Sequence, residues 1–197
     1  MPKILAFSGS ARKDSYNQQL VRIAVSGAEK SGVDVTLINL ADFPMPIFNQ
    51  DLELAEGMPQ KAGQFKQLLI DHDGFLIASP EYNSAFSPLL KNAIDWASRR
   101  QNNEPPLLAF RGKIAVIMAA SPSILGGLRG LVFLRMLLGN IGVTVLSAQQ
   151  TISHADSAFN ADGSLIDEQK QEIIINLGSG LADTLRKLKK NNIIDEP

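Results

Sequence analysis

The chain has 197 residues and a formal net charge of −1, a length that suits one domain. It has no run of the roughly 20 apolar residues that a membrane-spanning helix needs, and its charge argues against nucleic-acid binding and against a strongly acidic electron carrier. The sequence lacks cysteine, which excludes disulfides, iron–sulfur clusters and thiol catalysis. The N-terminus is typical of a first strand rather than a signal peptide, so we expect one cytoplasmic domain over residues 1–197.

Strands and helices are predicted to alternate along the chain. Apolar runs predict strands at residues 3–8, 33–40, 74–79, 113–121 and 143–150. Helical periodicity predicts helices at residues 15–31, 59–72, from 87 onward, 126–142 and 167–190. The segment 41–59 has three prolines and no clean period, so it is predicted as a long loop that covers the crevice, covers a second subunit or simply connects two elements.

Five strands joined by helical crossovers predict an α/β fold with a parallel sheet and helices on both faces. The six-stranded dinucleotide-binding order usually carries G-x-G-x-x-G after its first strand, whereas the turn at residues 8–17 has a single glycine. The pattern therefore favours the five-stranded order 2-1-3-4-5. In this order a crevice opens between the first and third strands, at their carboxyl ends.

The first loop over this crevice leads into a helix and is rich in hydrogen-bond donors. Ser10, Ser15 and Asn17 can donate to phosphate oxygens, and Arg12 can add a charge-assisted contact. Unpaired N–H groups at the helix start also favour an anion. Ser15 as a plain helix cap remains an alternative. The sequence lacks G-x-x-x-x-G-K-[ST], so we expect a monophosphate rather than a triphosphate.

The second loop follows the buried third strand. Pro80 ends that strand, and the rigid backbone after it can present N–H and C=O groups to a flat heterocycle. Tyr82 can lie against such a ring or pack under the loop, and Asn83 can bind or form a turn. Glu81 can cap a helix or pair with an arginine, and we do not expect it to act as a general base.

The third loop begins at Ser121 and contains the pair Gly126 and Gly127. The glycines suit either close approach to a ligand or a plain helix entry. Neither histidine has metal-ligand spacing; His72 is expected at a solvated helix end, and His154 near the ligand edge. We expect no metal site.

At these loops the sequence resembles the NADPH-dependent FMN reductase family, which includes chromate, quinone and azo-dye reductases of flavodoxin-like fold. The segment "GSARKDSYN" is similar to the family's phosphate loop, and "SPEYNSAFSPLLKNAIDWAS" to its long signature. The segment "FNADGSLID" is similar to a further family segment. One departure is the third loop, where residues 122–125 stand in place of an extra glycine that the family often carries.

The resemblance implies that FMN binds with its phosphate on the first loop and its isoalloxazine ring on the second, largely through main-chain atoms. The implied cofactor-binding residues are Ser10, Arg12, Ser15, Tyr16, Asn17, Pro80, Glu81, Tyr82, Asn83, Ser84 and Ser121. No side chain is expected to act as a catalytic acid or base, because the cofactor carries the chemistry.

The implied activity is that of an NAD(P)H-dependent FMN reductase. NADPH or NADH gives a hydride to the flavin N5 and leaves, and then a quinone, an azo compound, a metal oxyanion such as chromate, or free flavin takes the electrons, in a ping-pong sequence. The resemblance also implies a homodimer or homotetramer. A flavodoxin-like electron carrier, a non-catalytic FMN-binding redox sensor and an enzyme that uses a different nucleotide cofactor remain alternatives.

Overall fold

Helices cover both faces of a parallel sheet in residues 1–192, the part of the chain that the computed structural model describes. The strands are β1 (Lys3–Ser8), β2 (Asp34–Asn39), β3 (Gly74–Ala78), β4 (Glu81–Tyr82), β5 (Ala85–Phe86), β6 (Ile114–Ala120), β7 (Thr144–Val145) and β8 (Gln150–Ile152). The helices are α1 (Tyr16–Lys30), α2 (Gln50–Glu56), α3 (Gln60–Asp71), α4 (Pro88–Ser98), α5 (Leu128–Asn140) and α6 (Glu168–Asn192). Over this range, no helix has the length and apolarity that crossing a membrane requires.

The sheet has the predicted flavodoxin-like order. The strands lie in the order β2-β1-β3-β6, with β7 and β8 sharing the fifth position, and every pair is parallel. The central strands β1, β3 and β6 are almost completely buried, as expected for parallel strands covered on both faces. The change in winding direction between β1 and β3 is the switch point at which this fold binds ligands.

The fifth strand differs from the prediction of one continuous strand at residues 143–150. Thr144 of β7 pairs with the start of β6, whereas Gln150 of β8 pairs with its end, and the residues between them leave the ladder. Arg135 of α5 donates to the backbone carbonyl of Val145 at 3.0 Å and to Oε1 of Gln149 at 2.8 Å. An arginine from another element therefore ties the segment between β7 and β8 to α5.

Alternation along the strands builds one apolar layer on each face of the sheet. Ile4 and Ala6 point into the layer under α1 and α6, whereas Leu5 and Phe7 point into the layer under α3, α4 and α5. All four side chains are excluded from solvent. The two layers hold the carboxyl ends of β1, β3 and β6 level with one another, and these ends carry the predicted site.

The prediction of a structureless loop at residues 41–59 was wrong, because this segment contains the short helix α2. Asn49 caps that helix by accepting from the N–H of Asp51 at 2.8 Å. The preceding turn is fixed to α4, since the carbonyl oxygen of Pro46 accepts from Asn92 at 2.9 Å and from Trp96 at 2.8 Å. The sequence showed the prolines clearly but not these contacts from an element more than 40 residues away.

One histidine also differs from its predicted environment. His72 was expected at a solvated helix end, but it is buried. Its two ring nitrogens lie 2.6 Å from the carbonyl oxygen of Leu68 and 2.8 Å from Oγ1 of Thr36. The alternation of β2 brings Thr36 to this position, which no local pattern around His72 indicates.

Candidate functional site

A pocket of about 320 Å³ lies at the carboxyl ends of β1, β3 and β6. Nine of the eleven residues that line it belong to the predicted cofactor-binding set. The lining comprises Ser10, Arg12, Ser15, Tyr16, Asn17, Pro80, Glu81, Tyr82, Ala120, Ser121 and Pro122. Sequence reasoning missed Ala120 and Pro122, although both flank the predicted Ser121 at the end of an apolar strand.

The turn after β1 is held by its own hydroxyl groups. Ser8 Oγ accepts from the N–H of Ser10 at 3.2 Å, and Ser10 Oγ accepts from the N–H of Arg12 at 3.3 Å. Gly9 leaves room for α4, because a Cβ atom at this position would lie 3.1 Å from Cβ of Leu90, which is a tight contact. Since both serine oxygens accept, the hydroxyl hydrogen of Ser10 remains free to donate into the pocket.

The start of α1 supplies further donors. Ser15 caps the helix by accepting from the N–H of Gln18, and its contact with phosphate stays a prediction. The hydroxyl hydrogen of Ser15 can still donate. The backbone N–H groups of Tyr16 and Asn17 make no hydrogen bond within residues 1–192, as expected for a first helical turn. Together with the helix dipole, these groups form an environment that favours an anion.

Arg12 adds a positive charge beside these donors. Its exposed guanidinium lies 5.0 Å from the centre of the Tyr16 ring. Tyr16 is stacked in turn on Phe159, with ring centres 6.0 Å apart and planes 9° apart. A charge with no carboxylate partner among residues 1–192, next to free N–H and hydroxyl donors, suits a phosphate group.

Asn17 has a different environment from the one that we predicted. It is 3% exposed, its amide nitrogen donates to the carbonyl oxygen of Ala120 at 2.9 Å, and its amide oxygen accepts from the N–H of Ala120 at 2.9 Å. The side chain therefore fastens the first turn of α1 to the end of β6. One amide hydrogen remains for a ligand, so a phosphate contact from Asn17 stays a prediction.

The loop after β3 is a small hairpin formed by β4 and β5. Its turn residues Asn83 and Ser84 have φ values of 50° and 69°, as two-residue hairpin turns require. Neither residue lines the pocket, so their roles in binding stay predictions. Tyr82 does line it and is 54% exposed, which leaves one face of its ring available to a ligand.

Glu81 is tied to α5 and not to the pocket interior. Its carboxylate accepts from the N–H of Gly130 at 3.0 Å and from Arg129 at 3.2 Å, and its side chain is 7% exposed. A carboxylate near a helix start is stabilised by the helix dipole. These contacts fix the hairpin against α5 and agree with the expected helix-capping and arginine-pairing role.

The glycine pair of the third loop packs inside the protein. A Cβ atom on Gly126 would lie 2.8 Å from the backbone of Ile152, and one on Gly127 would lie 2.7 Å from Cβ of Ala119. Their φ values of 60° and 98° also favour glycine. The structure thus gives these glycines the role of a helix entry, and Ser121 and the adjacent Pro122 bring this loop into the pocket.

A larger cavity of about 490 Å³ lies between α1 and residues 161–164. Its lining includes Lys13 and Arg22 but also Asp14 and Asp162, so opposite charges offset one another there. The smaller pocket is the better candidate for a phosphate site. Its hydrogen-bond donors and its one cationic residue, Arg12, lie together, and the one carboxylate in its lining, that of Glu81, is already bonded to α5. No group of three histidine, aspartate or glutamate side chains within residues 1–192 is arranged to hold a metal ion.

Comparison with known proteins agrees with this geometry. The family model described as NADPH-dependent FMN reductase matches residues 2–157. The chain is 36% identical to an NAD(P)H-dependent FMN reductase of Pseudomonas aeruginosa over 95% of this chain and 97% of that protein. It is 35% identical to an NADPH:quinone oxidoreductase of Arabidopsis thaliana, with 86% of this chain and 85% of that protein covered.

A solved structure is also similar over nearly its whole length. It is a flavoenzyme NAD(P)H:(acceptor) oxidoreductase from Paracoccus denitrificans, with a TM-score of 0.79, 27% identity, and coverage of 95% of this chain and 98% of that one. The resemblance carried by the three loops is therefore confirmed at the level of the whole chain. This protein belongs to the NADPH-dependent FMN reductase family.

Proposed function

We propose that the chain is an NAD(P)H-dependent reductase that binds FMN in the pocket at the carboxyl edge of the sheet and passes electrons to small quinones. The observation that carries this proposal is the convergence of nine predicted residues on one pocket. The quinone as acceptor rests on relatives that are named NADPH:quinone oxidoreductases. Azo compounds, chromate and free flavin are further acceptors in this proposal.

The residues of the pocket fit FMN. The free hydroxyl groups of Ser10 and Ser15, the N–H groups of the first turn of α1 and the charge of Arg12 would hold the phosphate. Pro80, Tyr82 and Pro122 in the pocket lining offer apolar surface to a ring. When bound, FMN supplies hydride acceptance from the nicotinamide and electron transfer to the acceptor.

The chain's own contribution is to bind and to orient. The carboxylate of Glu81, the single acidic group in the pocket lining, is held by two donors of α5, so it fixes the hairpin against that helix. The hairpin can then serve as a rigid wall. We expect the nicotinamide and the acceptor to occupy the same face of the cofactor in turn, which gives ping-pong kinetics.

An absorbance spectrum of the purified protein tests the proposal directly. We expect a flavin spectrum that is bleached by anaerobic NADPH or NADH and restored by benzoquinone. Parallel lines in double-reciprocal plots would support ping-pong kinetics, and intersecting lines would refute it. A colourless protein that binds no added FMN would overturn the proposed function and would favour a different nucleotide cofactor.

Arg12 provides a test of the phosphate assignment. Loss of a charge-assisted hydrogen bond costs about 1.5–3 kcal/mol, so Arg12→Ala should weaken FMN binding by roughly 10- to 100-fold. Arg22→Ala is the matched control, because Arg22 is also an exposed arginine near this loop but does not line the pocket. Equal FMN affinity in wild type and the Arg12 variant would contradict the assignment.

Two rival functions make different predictions. A flavodoxin-like electron carrier would bind FMN but would not oxidise NADPH when only a small acceptor is added. A redox sensor would keep FMN but show no turnover with any acceptor. The names of the relatives and their coverage of this chain favour the reductase.

We also propose that the protein assembles as a homodimer or homotetramer through α5. Leu128, Val132 and Met136 form an exposed apolar stripe along this helix, and such a stripe can pair with its own copy around a twofold axis. Arg129 and Arg135 of the same helix each have a bonding partner within the chain.

Sedimentation of wild type and Val132→Arg would test this assembly. We expect the variant to sediment as a monomer, and Ile47→Arg, at an exposed apolar residue outside α5, to behave as wild type. A wild-type monomer would refute the assembly.

We further propose a cytoplasmic location, which cell fractionation can check, and one domain over residues 1–197, which limited proteolysis can check.

A further inference from the structure

Two contacts of the Tyr16 ring, one with Arg12 and one with Phe159, join two distant parts of the chain beside the pocket. The guanidinium of Arg12 lies 5.0 Å from the ring centre of Tyr16, and the ring of Phe159 lies on Tyr16 at 6.0 Å with an interplanar angle of 9°. Arg12 and Tyr16 line the pocket, whereas Phe159 does not. Phe159 also lies beyond the residues that the family model matches, which end at 157.

The contact with the Tyr16 ring fixes the Arg12 side chain. Its guanidinium makes no hydrogen bond or ion pair within the described residues, although an exposed arginine has several rotatable bonds. Fixing so flexible a side chain on ligand binding costs conformational entropy. A ring that already holds the guanidinium beside the phosphate donors reduces that cost.

The Tyr16 ring depends in turn on its other neighbour. Tyr16 is the first residue of α1 and only partly buried. The helix therefore fixes the backbone of Tyr16 but not the orientation of its ring. The Phe159 ring packs on it in an offset-stacked contact, with ring centres 6.0 Å apart and planes 9° apart, a geometry that stabilises aromatic pairs beyond their burial. Without Phe159, the Tyr16 ring could turn and carry Arg12 away from the donors.

Phe159 itself is held on a rigid hairpin. It pairs with Leu165, which is buried, and the N–H of Asn160 donates to the carbonyl oxygen of Ser164 at 2.8 Å. The N–H of Leu165 also donates to the side chain of Gln171 in α6 at 2.9 Å. The position of the ring is therefore set by the hairpin and by α6.

We infer that Phe159 is a positioning residue that holds Arg12, through Tyr16, for the phosphate of FMN. The inference rests on the proposed function and assigns a role to the C-terminal hairpin. Because Phe159 acts only on the phosphate end, its loss should lower the affinity for FMN but not for riboflavin, which has the same ring system and no phosphate. A merely structural role would lower both affinities alike.

The test compares Phe159→Leu with Phe48→Leu as a matched control. Phe48 also contacts an aromatic ring and an arginine, because it meets Trp96 edge to face at 5.1 Å and lies 5.2 Å from Arg99, but on the segment fixed to α4. Leucine keeps the site apolar and removes the ring. The apoproteins are titrated with FMN and with riboflavin, and quenching of flavin fluorescence gives the two affinities.

We expect Phe159→Leu to lower FMN affinity by about threefold to tenfold, the range of a lost aromatic pair, while riboflavin affinity stays within about twofold. Phe48→Leu should leave the ratio of the two affinities unchanged, and Phe159→Tyr should restore it. In an Arg12→Ala background, Phe159→Leu should have no further effect on this ratio.

Two failures are distinguishable. If wild type binds FMN tightly and Phe159→Leu leaves the ratio of the two affinities unchanged, the inference is wrong and the proposed function stands. The inference is also wrong, with the proposed function again intact, if Phe159→Leu lowers the ratio to the same extent in the Arg12→Ala background. If wild type binds neither flavin, the proposed function itself fails.

Discussion

Asn17→Ala separates a structural role of this residue from the predicted phosphate contact. The substitution leaves both backbone groups of Ala120 without the partners that now lie 2.9 Å away. A buried polar group that loses its partner costs about 1–3 kcal/mol. Because Asn17 and Ala120 both line the pocket, water can reach one of these groups, so we take the lower part of the range and expect a total of about 2–4 kcal/mol.

Urea unfolding of the apoprotein measures this loss without any contribution from FMN. Thermal unfolding gives a second measure of the loss. For a chain of this length, each kcal/mol of lost unfolding free energy lowers Tm by about 2–4 °C, so Tm should fall on the order of 4–16 °C. Arg12→Ala is the control, because its exposed guanidinium has only the contact with Tyr16 among the described residues. We expect its apoprotein to unfold within about 0.5 kcal/mol of wild type.

The reasoning would be refuted by an Asn17→Ala apoprotein as stable as wild type. If that variant also bound FMN poorly, the residue would act as a phosphate ligand, as predicted from the sequence, and the contacts with Ala120 would add little. If both stability and FMN affinity fell, addition of saturating FMN should recover only part of the lost stability.

Two further predictions concern stability. Gly127→Ala should lower the free energy of unfolding in urea by at least about 2 kcal/mol, because the φ of Gly127 is 98° and the new Cβ would lie 2.7 Å from Cβ of Ala119. Gly139→Ala, in the helix that follows, is the control. Its new Cβ meets nothing within 4 Å, so this substitution should be neutral or slightly stabilising. The hydrogen bond from buried Lys66 lowers the pKa of Glu104 in the folded protein below its usual 4.5. The contribution of ionised Glu104 to the stability of the folded protein is therefore complete above pH 4.5, and it is lost as the pH falls through the lowered pKa of the folded state. Glu104→Gln should therefore flatten the dependence of the free energy of unfolding on pH as the pH falls below 4.5, and an unchanged slope would contradict this.

The order of the sheet could be predicted because its signals are local and strong. The runs that became β1, β3 and β6 are almost continuously apolar, as strands covered on both faces should be. Once the order is known, parallel strands bring their carboxyl ends to one edge. The loops after these strands therefore lie close together, whatever conformation each loop adopts. This is why nine predicted residues share a pocket.

The precise roles of the polar residues could not be predicted in the same way. Asn17 finds its partner 103 positions away, and Glu81 finds Gly130 49 positions away. The broken fifth strand is also held by a distant side chain, because Arg135 of α5 binds the segment between its two parts. Each of these pairings depends on how elements pack, and neither composition nor periodicity records that.

Burial divides the predicted cofactor-binding residues into two kinds, those that shape the pocket and those that are available to a ligand. Asn17 and Glu81 have buried side chains whose polar atoms are already bonded to backbone groups of other elements, so they fix the shape of the pocket. Arg12 and Tyr82 are exposed and keep their polar groups or ring faces available, so they can meet a ligand. Substitutions in the first pair should therefore change the apoprotein, whereas substitutions in the second should change only what it binds.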